Sequence, residues 1–151
     1  MKLAEALAER AEAQQRYERI RARLNNVAKI QEDDEPAEDS QELLREAEKL
    51  LDRMQFLIRR INRTNLASQL SDEETITDAI ARRDILHKRR KLYSDLATQA
   101  GSSEDRYSRS ELRYVATVNV RDLQKKVDLI SKEYRQLDTD IQKANWQVDL
   151  L

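Results

Sequence analysis

Residues 120–151 constrain this chain more than any other stretch. Val120, Leu123, Val127, Ile130, Tyr134, Leu137, Ile141, Ala144, Val148 and Leu151 follow one another at alternating steps of three and four. Such spacing is the a/d seam of a heptad repeat, and none of its positions is lost to a charge. The residues between are mostly Lys, Glu, Asp, Arg and Gln, which suit a solvated face. A helix of that length spans roughly 48 Å at about 1.5 Å per residue. Long helices gain their stability from packing rather than from propensity, so the remaining chain must cover this stripe.

Composition points the same way. The chain has 151 residues, the size of a single helical domain over 1–151. One Gly and one Pro are too few for the turns of a β-rich fold. Charged residues make up 38% and aromatics 5%, the profile of long helices and coiled coils. A disordered chain could share that charge but would not keep a heptad seam. The formal net charge of −1 offers no global attraction for nucleic acid or anionic lipid. Without Cys there are no disulfides, no thiol catalysis, no zinc–thiolate site and no iron–sulfur cluster. Charges recur through the first turns, so no secretory signal is expected. No apolar run approaches the roughly 18–20 residues of a membrane span. The expectation is a soluble cytoplasmic protein with no membrane partner.

Three further helices are expected. The first covers residues 2–30, with Leu3, Leu7, Tyr17, Ile20, Leu24 and Val27 on its apolar face, interrupted by Arg10 and Gln14. Its many alanines allow close approach of a neighbour. Pro36, among Glu32, Asp33, Asp34, Glu35 and Glu38, breaks the chain. Asp39 is the expected N-cap of a second helix over 40–65, with Glu42 completing a capping box. Leu43, Ala47, Leu50, Met54, Leu57 and Ile61 make its seam, and Leu44, Leu51 and Ile58 widen it. A stripe that wide meets more than one neighbour and places this helix centrally. Arg59, Arg60 and Arg63 lie in its expected last turns, where cations complement the helix dipole, and Asn65 is a candidate left-handed cap. The third helix covers 75–100, capped by Thr75 with Asp78 and stopped at Gly101. Arg83 and Arg90 fall within its apolar stripe. Residues 112–118, Leu-Arg-Tyr-Val-Ala-Thr-Val, are β-branched and aromatic and read as a short strand. Asn119 then caps the last helix.

Chemistry-bearing constellations are sparse. His87 is the only histidine, with Asp84 one turn before it. One His cannot complete a carboxylate-bridged di-iron set, and it leaves few acid–base triads. Glu42, Glu46 and Glu48 could hold magnesium, but glutamate-rich helices make such spacings by chance. The acidic residues around Pro36 lack the alternation and the Gly of a calcium loop. Arg106-Tyr107-Ser108-Arg109 and Arg113-Tyr114 could contact phosphate and stack on bases. Ordinary solvated helical faces explain the other basic clusters. No catalytic, cofactor-binding or metal-ligating residue is assigned.

Three patches together resemble a known family. They are Ile61-Asn62-Arg63-Thr64-Asn65, Arg106-Tyr107-Ser108-Arg109-Ser110-Glu111 and Asp140-Ile141-Gln142-Lys143-Ala144-Asn145-Trp146. With Glu35-Pro36-Ala37-Glu38-Asp39 before them, they resemble a bacterial family of short, all-helical, uncharacterised proteins, some labelled septicolysin. The resemblance covers essentially the whole chain and implies no activity. The label suggests a pore-forming toxin, and no long alternating strand pair that could line a barrel accompanies it here. Asn62, Arg63, Asn65, Glu111 and Asn145 are expected to make structural polar contacts.

The expected fold is all-α: an antiparallel bundle of four long helices with coiled-coil-like packing and one short β segment before the last helix. The expected function is a non-enzymatic helical scaffold or protein-interaction module that self-associates. The alternative is a nucleic-acid-binding protein using residues 106–114, disfavoured by net charge. A magnesium-dependent nucleotide hydrolase is a remote third. A homodimer is expected to form through Tyr107, Arg109, Leu112, Tyr114, Val115 and Trp146. An unpaired strand needs a partner, and a Trp off the seam suits an interface.

Overall fold

The computed structural model describes residues 1–102 and 112–151. The fold is all-α and has four long helices: α1 (Leu3–Val27), α2 (Ser40–Ala67), α3 (Ile76–Ala100) and α4 (Val120–Gln147). A two-stranded hairpin, β1 (Gln69–Ser71) and β2 (Glu74–Thr75), lies between α2 and α3. The chain forms two compact units. One is Met1–Gln69 with Lys143–Leu151, the other Leu70–Gln142.

In the first unit α1 and α2 pair antiparallel. The α2 seam is the expected one, extended by a fully buried Thr64. The α1 seam differs. It runs Leu3, Ala6, Arg10, Ala13, Tyr17, Ile20, Leu24 and Val27 in unbroken steps of three and four. Ala6 and Ala13 are buried on it, and Leu7 sits beside it. Small side chains at these positions let the α2 backbone come close. Ile20, Leu43 and Ala47 form one buried cluster, with Tyr17, Leu24, Val27 and Leu50 against it.

Ion pairs flank this seam at heptad intervals. Glu9 accepts from Arg53 at 2.6 and 2.9 Å. Arg16 pairs with Glu46 at 3.2 Å, and Arg23 with Glu38. The α1 members rise by seven while their α2-side partners fall, which is the signature of antiparallel register. The Arg53 guanidinium holds the Glu9 carboxyl below its usual range by direct hydrogen bonding, and Arg23 does the same for Glu38.

The last residues close this unit. α4 ends at Gln147, so the heptad phase lapses there, burying Leu150 and leaving Leu151 half exposed. The tail runs antiparallel to the start of α1. Leu3 N donates to Val148 O at 2.9 Å and Leu150 N to Met1 O at 3.0 Å. Lys2 pairs with Asp149 at 2.8 Å. Thr64 on α2 accepts from Leu151 N at 3.0 Å and donates to Arg60 O at 2.8 Å.

In the second unit α3 and α4 pair antiparallel around Ala79, Leu86, Ile130, Leu137 and Ile141, with Leu70, Ile80, Tyr93 and Tyr134 against them. Thr75 caps α3 in a capping box with Asp78, whose carboxyl is held low by the Thr75 hydroxyl. Asn119 Oδ1 accepts from Asp122 N at 3.1 Å at the start of α4.

Three expectations are corrected. Residues 112–118 contain no strand; among the described residues the strands are those of the hairpin at residues 69–75. The β-branched run is fully decoupled from any ladder, because β-propensity reports packing opportunity rather than an intrinsic backbone preference. α2 does not stop at Asn65. It continues to Ala67, and no described non-glycine residue has positive φ, so Asn65 is not a left-handed cap. Asp39 caps α2 by accepting from Gln41 N at 2.8 Å, without the reciprocal bond from Glu42.

Candidate interaction surfaces

The helix pairs leave apolar residues uncovered. On α2, Leu44, Leu51 and Ile58 recur every seven residues beside the seam and are 43, 38 and 37% exposed. The second neighbour expected to cover this stripe, and with it a central place for α2, is not seen among the described residues. On α3, Ile85 and Leu92 repeat at the same interval on a face apart from the seam, 50 and 65% exposed. Leu96 follows one turn later, also exposed. Apolar residues on two faces of α3 cancel its amphipathicity, whereas a single face would reinforce it. α1 exposes no large apolar side chain along its length. The uncovered stripes therefore belong to α2 and α3.

Of the residues expected at an interface, Leu112, Tyr114 and Val115 are 82, 79 and 81% exposed, and Trp146 is 64% exposed. The first three belong to the second unit and Trp146 to the first. Tyr107, Arg109 and Glu111 lie outside the described residues, as do Arg106 and Ser108. Among the expected polar contacts, Asn145 is buried, and Asn62 and Arg63 project from the exposed face of α2. Asn65 Oδ1 is buried without a hydrogen-bond partner.

A different surface lies near the end of α2. Phe56, Arg59, Arg60, Arg63 and Leu151 line an open cavity of about 370 Å³. Arg60 is anchored. Its Nε donates to Leu151 O at 2.6 Å and a second nitrogen to Leu150 O at 3.1 Å. The Arg60 and Arg53 guanidinium carbons lie 5.3 and 5.2 Å from the Phe56 ring centre, within cation–π range. The sequence shows the three arginines with Phe56 one turn before them, but the returning tail joins them only through folding.

Elsewhere, His87 is exposed, with its ring 6.0 Å from that of Tyr134. Glu46 is engaged with Arg16, whereas Glu42 and Glu48 point to solvent. Among the described residues, no three His, Cys, Asp or Glu side chains are grouped to hold a metal ion. No described helix is long and apolar enough to cross a membrane.

Residues 10–150 match a family of unknown function, DUF6847. A solved structure, that of a functionally unknown conserved protein from Corynebacterium diphtheriae, is 56% identical with a TM-score of 0.94. The match covers 100% of this chain and 99% of that one. No curated protein matches the chain.

Proposed function

The chain belongs to this family of unknown function, and from its surfaces we propose a non-enzymatic helical interaction module that self-associates as a homodimer. The observation that carries this is the second apolar stripe on α2 and on α3. A helix with one neighbour needs one stripe; these have two, at heptad spacing. Exposed leucines at such intervals are what coiled-coil-like packing against a further helix would cover. Leu112, Tyr114, Val115 and Trp146 add large apolar side chains that interfaces favour. Without a strand at residues 112–118, the contact is between side chains and not a β ladder.

The homodimer works in the cytoplasm, where a cysteine-free helical protein needs no disulfide. Pore formation, which the septicolysin label would imply, is not part of this function. Light scattering at micromolar concentration should give twice the chain mass. Leu51→Glu and Leu92→Glu, each on an exposed stripe, should weaken the dimer while far-UV circular dichroism stays unchanged. A monomeric wild type, or a dimer indifferent to both changes, would falsify self-association through these stripes. Nucleic-acid binding that persists near about 200 mM salt and is lost on changing Arg106, Arg109 and Arg113 to Ala would point to the other class.

A further inference from the structure

We infer that Arg59 and Arg63, backed by Arg60, form a binding site for a phosphomonoester, a dianion whose charge the surrounding side chains do not supply. The charge pattern comes first. Residues three and four apart are surface neighbours on a helix. At those distances Arg59 has Gln55, Phe56, Asn62 and Arg63, and Arg63 has Arg59, Arg60, Leu66 and Ala67. No acidic residue is among them. Arg45, earlier on the same helix, has Glu42 and Glu48 three residues to either side. Arginines at 59 and 63 therefore repel one another one turn apart, an arrangement that weakens a helix unless an anion sits between them.

The helix-dipole explanation does not apply. Cations near a helix C-terminus complement the dipole within the last turn, but α2 runs on to Ala67 and its last turn holds no basic residue. Arg53 and Arg60 have protein partners, whereas no described carboxylate pairs with Arg59 or Arg63.

The cavity suits a small ligand. Its volume of about 370 Å³ falls in the range of small-molecule sites, roughly 300–1,000 Å³. No Asp or Glu lines it, and the Leu151 main-chain oxygen beside it is already engaged by Arg60. Arg60 is held by its contacts to the main-chain oxygens of Leu150 and Leu151 and by Phe56, so one cationic wall is ordered before a ligand arrives. Guanidinium forks match phosphate oxygens in bidentate geometry. Phe56 and Leu151 give the ester's carbon skeleton an apolar wall. Two unpaired guanidiniums balance one dianion.

Thermal melting at constant ionic strength, with sodium chloride as the reference, tests this with two probes. One is glycerol phosphate in solution; the other is vesicles of phosphatidate in phosphatidylcholine. Glycerol phosphate at about ten times its dissociation constant should raise the melting midpoint by roughly 3–6 °C. A response to glycerol phosphate identifies a soluble ester, and a response confined to vesicles identifies a lipid headgroup. Either response must vanish in Arg59→Gln/Arg63→Gln, whose ligand-free midpoint should equal or exceed that of wild type. Arg59→Lys/Arg63→Lys keeps the charge but loses the forks, and should bind several-fold more weakly. An unchanged response in the glutamine variant, or no response to either probe, overturns the site.

Discussion

Arg83 on α3 donates to Asp138 on α4 across 2.8 Å, from a position that the α3 seam would otherwise give to an apolar side chain. One heptad further, Arg90 donates to Ser131, one heptad back along α4, at 2.9 Å. A polar residue at a seam position fixes register at a cost in stability. These two contacts bind α3 and α4 in one antiparallel alignment, which a uniformly leucine-lined seam would not enforce.

Arg83→Leu should therefore leave the protein at least as stable, with a gain between zero and about 2 kcal/mol, because Asp138 can still be solvated. Asp138→Ala, which strands the guanidinium, should cost about 1 kcal/mol. Urea unfolding of both variants decides the matter. A leucine variant less stable than the alanine variant would mean that the ion pair, not packing, holds this seam.

Thr64 is expected to matter through its hydroxyl. Thr64→Val keeps the shape and the burial but removes the acceptor for Leu151 N. The loss should be about 1–2 kcal/mol. Amide hydrogen exchange should localise it, with the Leu151 amide exchanging faster and the α3 and α4 amides unaffected. Protection of Leu151 equal to wild type would show that Arg60 and the contacts to Met1, Lys2 and Leu3 hold the tail without the Thr64 hydroxyl.

Acid should destabilise the protein. Glu9, Glu38 and Glu74 are held below their usual values mainly by hydrogen bonds from Arg53, Arg23 and Arg82. A depressed folded-state value means the native state keeps these carboxyls ionised while the unfolded chain takes up protons. Their contribution is complete above the unfolded value, about 4.3, and is lost as pH falls through the lower folded values. All three lie at the surface, so solvent and salt screen each one. Melting midpoints between pH 7 and pH 3 should fall below about pH 5, less steeply for Glu9→Gln and at high salt. A midpoint flat to pH 3 would remove these pairs from the stability account.

The capping box of α3 gives a local test. Thr75→Ala removes the acceptor for Asp78 N and the donor to its carboxylate. The expected cost is about 1 kcal/mol, with fraying confined to the first turn of α3. Equal stability on chemical denaturation would show that packing of the fully buried Ile76 holds that turn.

Much of the fold could be read along the chain. The α4 seam, the α2 seam and the caps Asp39, Thr75 and Asn119 all rest on interactions within a few residues, so local spacing carries them. The α1 seam was misread at Leu7. Ala6 and Ala13 carry little apolar weight, and only the close approach of α2 selects them. The hairpin at residues 69–75 escaped notice because Gln69, Ser71 and Glu74 are polar. Its ladder is made by backbone groups common to every residue. The β-branched residues 112–118 misled for the complementary reason: propensity supplies no partner.

The sequence by itself determined the four helices and the capping residues Asp39, Thr75 and Asn119, because hydrophobic period and caps act over one or two turns. Only the tertiary structure decided which apolar stripes are covered and which face water, and that Leu150 and Leu151 return to Arg60. Those outcomes depend on antiparallel register and on a tail that returns past α2, contacts between residues some ninety positions apart. No local pattern encodes such contacts, since their free energy arises only when the distant surfaces meet.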